Sequence, residues 1–154
     1  MFLALPEQLR ASPAGKDMTE KLETAKKTGV GKMAMDFTQN DTLGNPVSLS
    51  SFRGKYVLID FWAPWCGPCL QFAPTFKETS EKVNGVAFAK INTEDEQALG
   101  AHFKIRSIPT LMIFREGIGI FSQPGSISGK DLEDLLEKAK AIDMDEVRKE
   151  LETQ

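Results

Sequence analysis

The sequence predicts an α/β protein, a three-layer α/β/α sandwich built around a central mixed β-sheet. Three observations predict it. Two near-continuous apolar runs rich in β-formers, Tyr56–Trp62 and Val86–Ile91, have the texture of core strands covered on both faces. Helical stretches alternate with them. A strand, turn, strand and amphipathic helix then close the chain.

Taken in order, residues 1–34 read as an N-terminal extension. Asp17-Met18-Thr19-Glu20 has capping-box spacing and predicts a polar helix from Met18 to about Lys27, ended by Gly29 and Gly31. The main domain is assigned to residues 35–154. Asp36-Phe37-Thr38 predicts a short strand, Asn40-Asp41 and Gly44-Asn45-Pro46 predict turns, and Val47-Ser48-Leu49 predicts the returning strand of a hairpin. Ser50 is expected to cap a helical turn ending at Gly54. The first core strand then leads to a helix from Cys66 to about Lys82, which Pro74 should kink. After the second core strand, Glu94–Phe103 predicts a shorter helix. Thr110–Phe114 and Ile118–Phe121 read as antiparallel neighbours joined by Arg115-Glu116-Gly117. Ser128 opens a helix whose apolar face is Leu132, Leu135, Leu136, Ala139 and Ile142. Asp143 and Glu146 have the spacing of a second capping box, opening a final helix.

The composition is that of a globular protein, with 41% apolar and 27% charged residues among 154. A net charge of −3 gives no reason to expect a nucleic-acid partner. Met1-Phe2-Leu3-Ala4-Leu5 stops at Pro6 and falls short of a signal-peptide core. The longest strongly apolar stretch is far too short to span a bilayer, so no membrane partner is expected. A cytoplasmic monomer is the resulting expectation.

The two cysteines stand as Cys66-Gly67-Pro68-Cys69. A bridge between them closes a loop too small to staple a fold, so their use should be chemical. At a helix start they share one face. The first lies beside unpaired backbone N–H groups and the positive end of the helix dipole, which favour its thiolate. Pro68 suits the first turn, where its missing N–H costs little. Cys66 is therefore assigned as attacking thiol and Cys69 as resolving thiol. The competing use is metal. Zinc usually takes four ligands, and the chain offers two thiols and one distant histidine, His102. No metal site is assigned.

Asp60 interrupts the first core strand, where an acid is costly to bury. Burial would raise its pKa and make it a proton acceptor for Cys69. A solvent-facing strand residue fits the periodicity equally well. Lys90, on the other core strand, is either a neighbour that moderates Asp60 or an exposed strand-end lysine. At Ile108-Pro109, a cis bond would open the Ile108 backbone to an incoming peptide, although base rates favour an ordinary trans proline. Trp62 is expected to pack beneath the cysteines and Trp65 to offer an apolar edge to a partner. His102 is assigned to surface or packing.

These segments together resemble the thioredoxin family. Asp60-Phe61-Trp62-Ala63-Pro64-Trp65-Cys66-Gly67-Pro68-Cys69 is similar to its active-site segment, and Phe88-Ala89-Lys90-Ile91-Asn92 to its next core strand. Ile105-Arg106-Ser107-Ile108-Pro109-Thr110 resembles its cis-proline loop, and Gln123-Pro124-Gly125 its last substrate-facing loop. The resemblance covers about residues 55 to 142. It implies a thioredoxin-like fold and a protein-disulfide reductase. It also implies catalytic roles for Cys66, Cys69, Asp60 and Lys90, and a substrate groove formed by Trp65, Gly67, Pro68, Ile108, Pro109 and Gly125. Disulfide-containing proteins would be its substrates. No cofactor would be bound, and electrons would come from NADPH through a thioredoxin reductase.

The sequence departs from that pattern at Leu70, where many thioredoxins carry a basic residue, and at Ser107, where glycine is common. Residues 35–54 resemble the leading hairpin of TlpA/ResA-type reductases, which are usually exported. The alternative reading is therefore an exported TlpA/ResA-type thiol–disulfide oxidoreductase, periplasmic if the native gene carries an upstream leader. A docking module with an incidental dithiol and a peroxidase are the remaining alternatives.

Overall fold

The structure is a computed structural model and describes residues 30–153. The helix predicted over Met18–Lys27 lies outside the described residues. The chain opens with a hairpin, β1 (Thr38–Asn40) and β2 (Pro46–Ser48), and a 3-10 turn over Leu49–Phe52. There follow β3 (Tyr56–Trp62), α1 (Gly67–Lys82), β4 (Val86–Asn92) and α2 (Gln97–His102). The chain ends with β5 (Thr110–Arg115), β6 (Ile118–Pro124), α3 (Gly129–Lys140) and α4 (Met144–Glu152).

The main sheet has the order β4-β3-β5-β6. It is mixed: β3 runs parallel to β4 and antiparallel to β5, and β6 is antiparallel to β5. β3 is the central strand that the apolar run predicts, with its boundaries as read. Leu58 packs with Phe72 and Phe76 of α1 and with Leu132, Leu136 and Ala139 of α3. Val57, Ile59 and Phe61 face the other way, toward Leu49, Phe103 and Phe114. A one-residue slip would exchange these two apolar sets, so burial on both sides fixes the register. Phe103, which follows α2, gathers Phe37, Phe61 and Phe114 at centroid distances of 5.7, 5.7 and 5.6 Å, and so pins α2 and the hairpin to this second face.

Several elements differ from expectation. β1 begins at Thr38 rather than Asp36, because the Asp36 carboxylate instead accepts the Ser50 N–H at 2.8 Å. Ser50 thus lies within the 3-10 turn, and Ser48 precedes it. The Glu94–Phe103 helix is shorter: the Asn92 side chain takes the Glu94 N–H at 3.0 Å and donates to Asp95 at 2.9 Å, turning the chain before α2 begins. β4, read as a core strand, stands at the edge of the sheet, with Val86–Ala89 only half-buried. β6 extends to Pro124, into residues expected as loop. α3 ends at Lys140, so Ile142 falls beyond it and is exposed. α1 runs on across Pro74 to Lys82.

The other edge of the sheet is covered. Gly31 and Ala34 donate to Gly119 and Gly117, each at 2.7 Å, and Gly119 donates to Lys32 at 3.1 Å. Residues 31–34, read as the end of the extension, therefore run along β6, and Ala34 joins the core. The helix caps match prediction: the Ser128 hydroxyl accepts from Asp131 N at 3.1 Å, and Asp143 Oδ1 accepts from Asp145 N at 2.8 Å.

Candidate active site

β3 delivers the chain to the site. Beyond Trp62, Ala63 is buried and its carbonyl accepts the Cys66 N–H at 3.2 Å, turning the backbone into α1. Cys66 is the N-cap of that helix: its carbonyl accepts from Leu70 N at 3.1 Å. Its sulfur accepts from Cys69 N at 3.2 Å, one of the N–H groups that a helix start leaves without a partner. Gly67 and Pro68 form the first turn, where proline sacrifices no bond.

Cys66 and Cys69 are joined as a disulfide, with Cα atoms 5.2 Å apart. They are not equivalent. Cys66 is 5% exposed and Cys69 is fully buried, so the outer sulfur is the one an incoming group can reach. Trp62 and Ile108 pack against this pair, and Trp65 stands 68% exposed beside it.

The cis-proline loop closes over the disulfide. Ile108-Pro109 is cis, and Cys66 Sγ lies 3.7 Å from the Ile108 carbonyl oxygen. Gly125 donates its N–H to Pro109 O at 2.7 Å, tying the last loop to this one. Gly125 has φ +95°, a conformation in which a side chain would be strained. Trp65, Gly67, Pro68, Ile108, Pro109 and Gly125 are thus gathered round the disulfide. Pro109 is itself fully buried, so the accessible surface of its loop belongs to Ile108, Ser107 and Arg106.

Asp60 lies on the α1 face of β3, between Leu58 and Trp62 in the alternation. It is fully buried, which decides between the two readings of its position. Burial pushes its carboxyl above the ordinary carboxylate range, and the hydrogen bond and charge of Lys90 oppose that rise. Lys90 is its register partner on β4, with Nζ 3.0 Å from Oδ2. The ammonium also lies 5.0 Å from the Trp62 ring centroid and 5.3 Å from that of Phe76. Asp60 Oδ1 is buried without a hydrogen-bond partner. The His102 ring packs edge-on against Phe103. Among the described residues no group of three or more His, Cys, Asp or Glu could hold a metal ion.

A groove of about 380 Å³ opens beside Trp65 and Ile108, lined also by Thr93, Gln97, Gly100, Ala101, Ile105, Arg106 and Ser107. Thr93, Gln97, Gly100 and Ala101 were not singled out from the sequence. Thr93 follows β4 and the other three lie on α2, and no spacing along the chain joins them to Trp65 or Ile108.

The family model described as Thioredoxin matches residues 48–139. The chain belongs to the thioredoxin family. Thioredoxin 2 of Streptomyces coelicolor is 48% identical over 95 residues, covering 62% of this chain and 71% of that protein. The thioredoxin of Porphyra purpurea is 43% identical over 83 residues, covering 53% of this chain and 78% of its own length. The solved thioredoxin of Fasciola hepatica superposes with a TM-score of 0.54 over 57% of this chain and 84% of its own, at 24% identity, which speaks for the fold.

With its paired Cys66 and Cys69, this member of the family is a protein-disulfide reductase, a thiol–disulfide oxidoreductase acting on disulfide-containing proteins. Family members need no bound cofactor for the exchange. The exported TlpA/ResA-type alternative finds no support in these matches, and the family match begins only at residue 48. Among the described residues no helix is long and apolar enough to cross a membrane.

Proposed function

We propose that the reduced protein attacks substrate disulfides with Cys66 and resolves the product with Cys69. The Cys66 thiolate displaces one substrate sulfur, which leaves as a thiolate and is protonated, and a Cys66–substrate disulfide forms. Cys69 then gives its proton to Asp60 and attacks Cys66 Sγ. The Cys66–Cys69 disulfide forms, and the second substrate thiolate leaves. Two electrons have passed from the dithiol to the substrate. The observation that carries this reading is the asymmetry of the pair, with Cys66 at the helix tip and Cys69 sealed one turn inside.

Lys90 moderates Asp60 through their ion pair. Trp65, Gly67, Pro68, Ile108, Pro109 and Gly125 present the substrate backbone to Cys66. A thioredoxin reductase drawing on NADPH restores the dithiol, and the protein works as a cytoplasmic monomer. Residues 1–34 form an extension to the domain at 35–154, with its last residues docked on β6.

The test is reduction of insulin disulfides, first with dithiothreitol as donor and then with NADPH and a thioredoxin reductase. Turnover with both donors is expected. Turnover with dithiothreitol alone would keep the chemistry and remove the reductase as partner. Turnover with neither would remove the reading.

A further inference from the structure

The groove beside the disulfide has a composition of its own. It is lined by the exposed Trp65 and by the small residues Gly100 and Ala101 of α2. The segment Ile105-Arg106-Ser107-Ile108 lines it as well. Arg106 is the one charged side chain lining it, is exposed, and makes no ion pair among the described residues. Glu94, Asp95 and Glu96 stand on the preceding loop but do not line the groove, and Asp95 is already bonded to Asn92.

The groove is continuous with the site, because Trp65 and Ile108 belong to both. Ile108 O lies 3.7 Å from the attacking sulfur. A substrate cysteine at Cys66 therefore places the residues on one side of it in this groove, which Trp65 and Arg106 both line. The protein as a whole is negative, at −3. A general field would repel an acidic peptide, whereas the groove offers it an unpaired cation.

We propose that this groove is a substrate-selecting subsite that favours disulfides flanked by a carboxylate-bearing residue, which Arg106 pairs. The inference rests on the disulfide-reductase reading and names the class of substrate that reading prefers. Arg106 acts on binding and touches no reacting sulfur. An exposed ion pair contributes about 0.2–1 kcal/mol, which corresponds to a preference of roughly 1.5- to 5-fold.

The test uses the full chain, pre-reduced, in single-turnover reactions with short peptides dimerised through one cysteine. The peptides differ only in carrying Glu, Ser or Lys beside the cysteine. The wild type should reduce the Glu peptide faster than the Lys peptide, by up to about fivefold, against the sign of its net charge. The preference should shrink in 0.5 M salt. Arg106→Glu should invert the Glu-to-Lys ratio and Arg106→Gln should bring it near one. Equal rates for all three peptides in the wild type, or a ratio indifferent to both substitutions, would overturn the subsite. If no peptide is reduced, the disulfide-reductase reading itself has failed.

Discussion

The tip of α1 and the floor beneath it solve opposite problems with the same two strands. At the tip, Cys66 is held where a partner reaches it, capped by backbone N–H groups and faced by the Ile108 carbonyl. On the floor, Asp60 is cut off from water, and its cation arrives from β4, the exposed edge of the sheet. The difference teaches that reach and protonation are set separately. Chain direction and a helix start fix the sulfur. Register fixes the acid, because Asp60 and Lys90 are direct partners across β3 and β4. Substitutions at the tip should therefore change whether electrons move, and substitutions on the floor how fast and at what pH.

The largest effect belongs to the tip. Cys66→Ser removes the accessible sulfur and should abolish insulin-disulfide reduction. Turnover equal to the wild type would transfer the attack to Cys69 and end the asymmetry. Cys69→Ser should also stop turnover, but by a different route. The first exchange proceeds, and the Cys66–substrate disulfide then has no resolving thiol. Non-reducing electrophoresis should show it accumulate, and reductant should release it. Loss of turnover with no trapped species would mean that Cys69 is needed before the first exchange.

Much of the tip is legible in the sequence. The strand Tyr56–Trp62 ends where its apolar run ends, and a Cys-Gly-Pro start announces a helix on chemical grounds. The caps at Ser128 and Asp143 are local and were readable for the same reason. The floor was legible only in part. Asp60 stands in a strand covered on both faces, so the period-two alternation that separates inside from outside carries no information there. The edge position of β4 is a matter of strand order, which its apolar run does not encode. The groove at Arg106 is assembled from three separate elements. The 3-10 turn has its N-cap at Ser48, two residues ahead of the cap expected at Ser50, because the Ser50 N–H partner, Asp36, lies across the hairpin, beyond any local cap rule.

The intermediate effect is on the floor. Asp60→Asn keeps the shape and removes the proton site, and should slow release of the mixed disulfide near neutral pH by about 10²-fold, the low end for a positioned base. An unaltered rate would return Asp60 to a purely structural role. The same variant has a stability signature. The native carboxyl of Asp60 is raised above the ordinary value of 3.8, so the folded protein holds this proton more tightly than the unfolded chain. Wild-type stability relative to Asp60→Asn should then fall as pH rises from about 4 through the native titration, and hold level above it. The variant should be the more stable at pH 7, on the order of 1 kcal/mol, in urea unfolding. A difference that does not change with pH would mean that Asp60 titrates as an ordinary exposed acid.

The smallest effect should come from Lys90, because its side chain keeps 31% of its exposure and the pair is open to solvent on one side. Lys90→Met retains the stem over Trp62 and Phe76 but removes the cation. Both influences that lower the Asp60 titration, the hydrogen bond and the charge of Lys90, are lost, so that titration should move further up. The sign of the stability change follows. Where Asp60 is protonated, Lys90 has no anion to pair with and the variant should match the wild type. As pH rises and Asp60 ionises, only the wild type gains the attraction, so the variant should lose up to about 1 kcal/mol relative to it. In Asp60→Asn the same lysine substitution should cost nothing at any pH. A double-mutant cycle across pH 4–9, with the Asp60 carboxyl followed by NMR, reads both quantities. A coupling that persists below the Asp60 titration would show that the pair rests on a hydrogen bond to the neutral carboxyl and that charge contributes little to it.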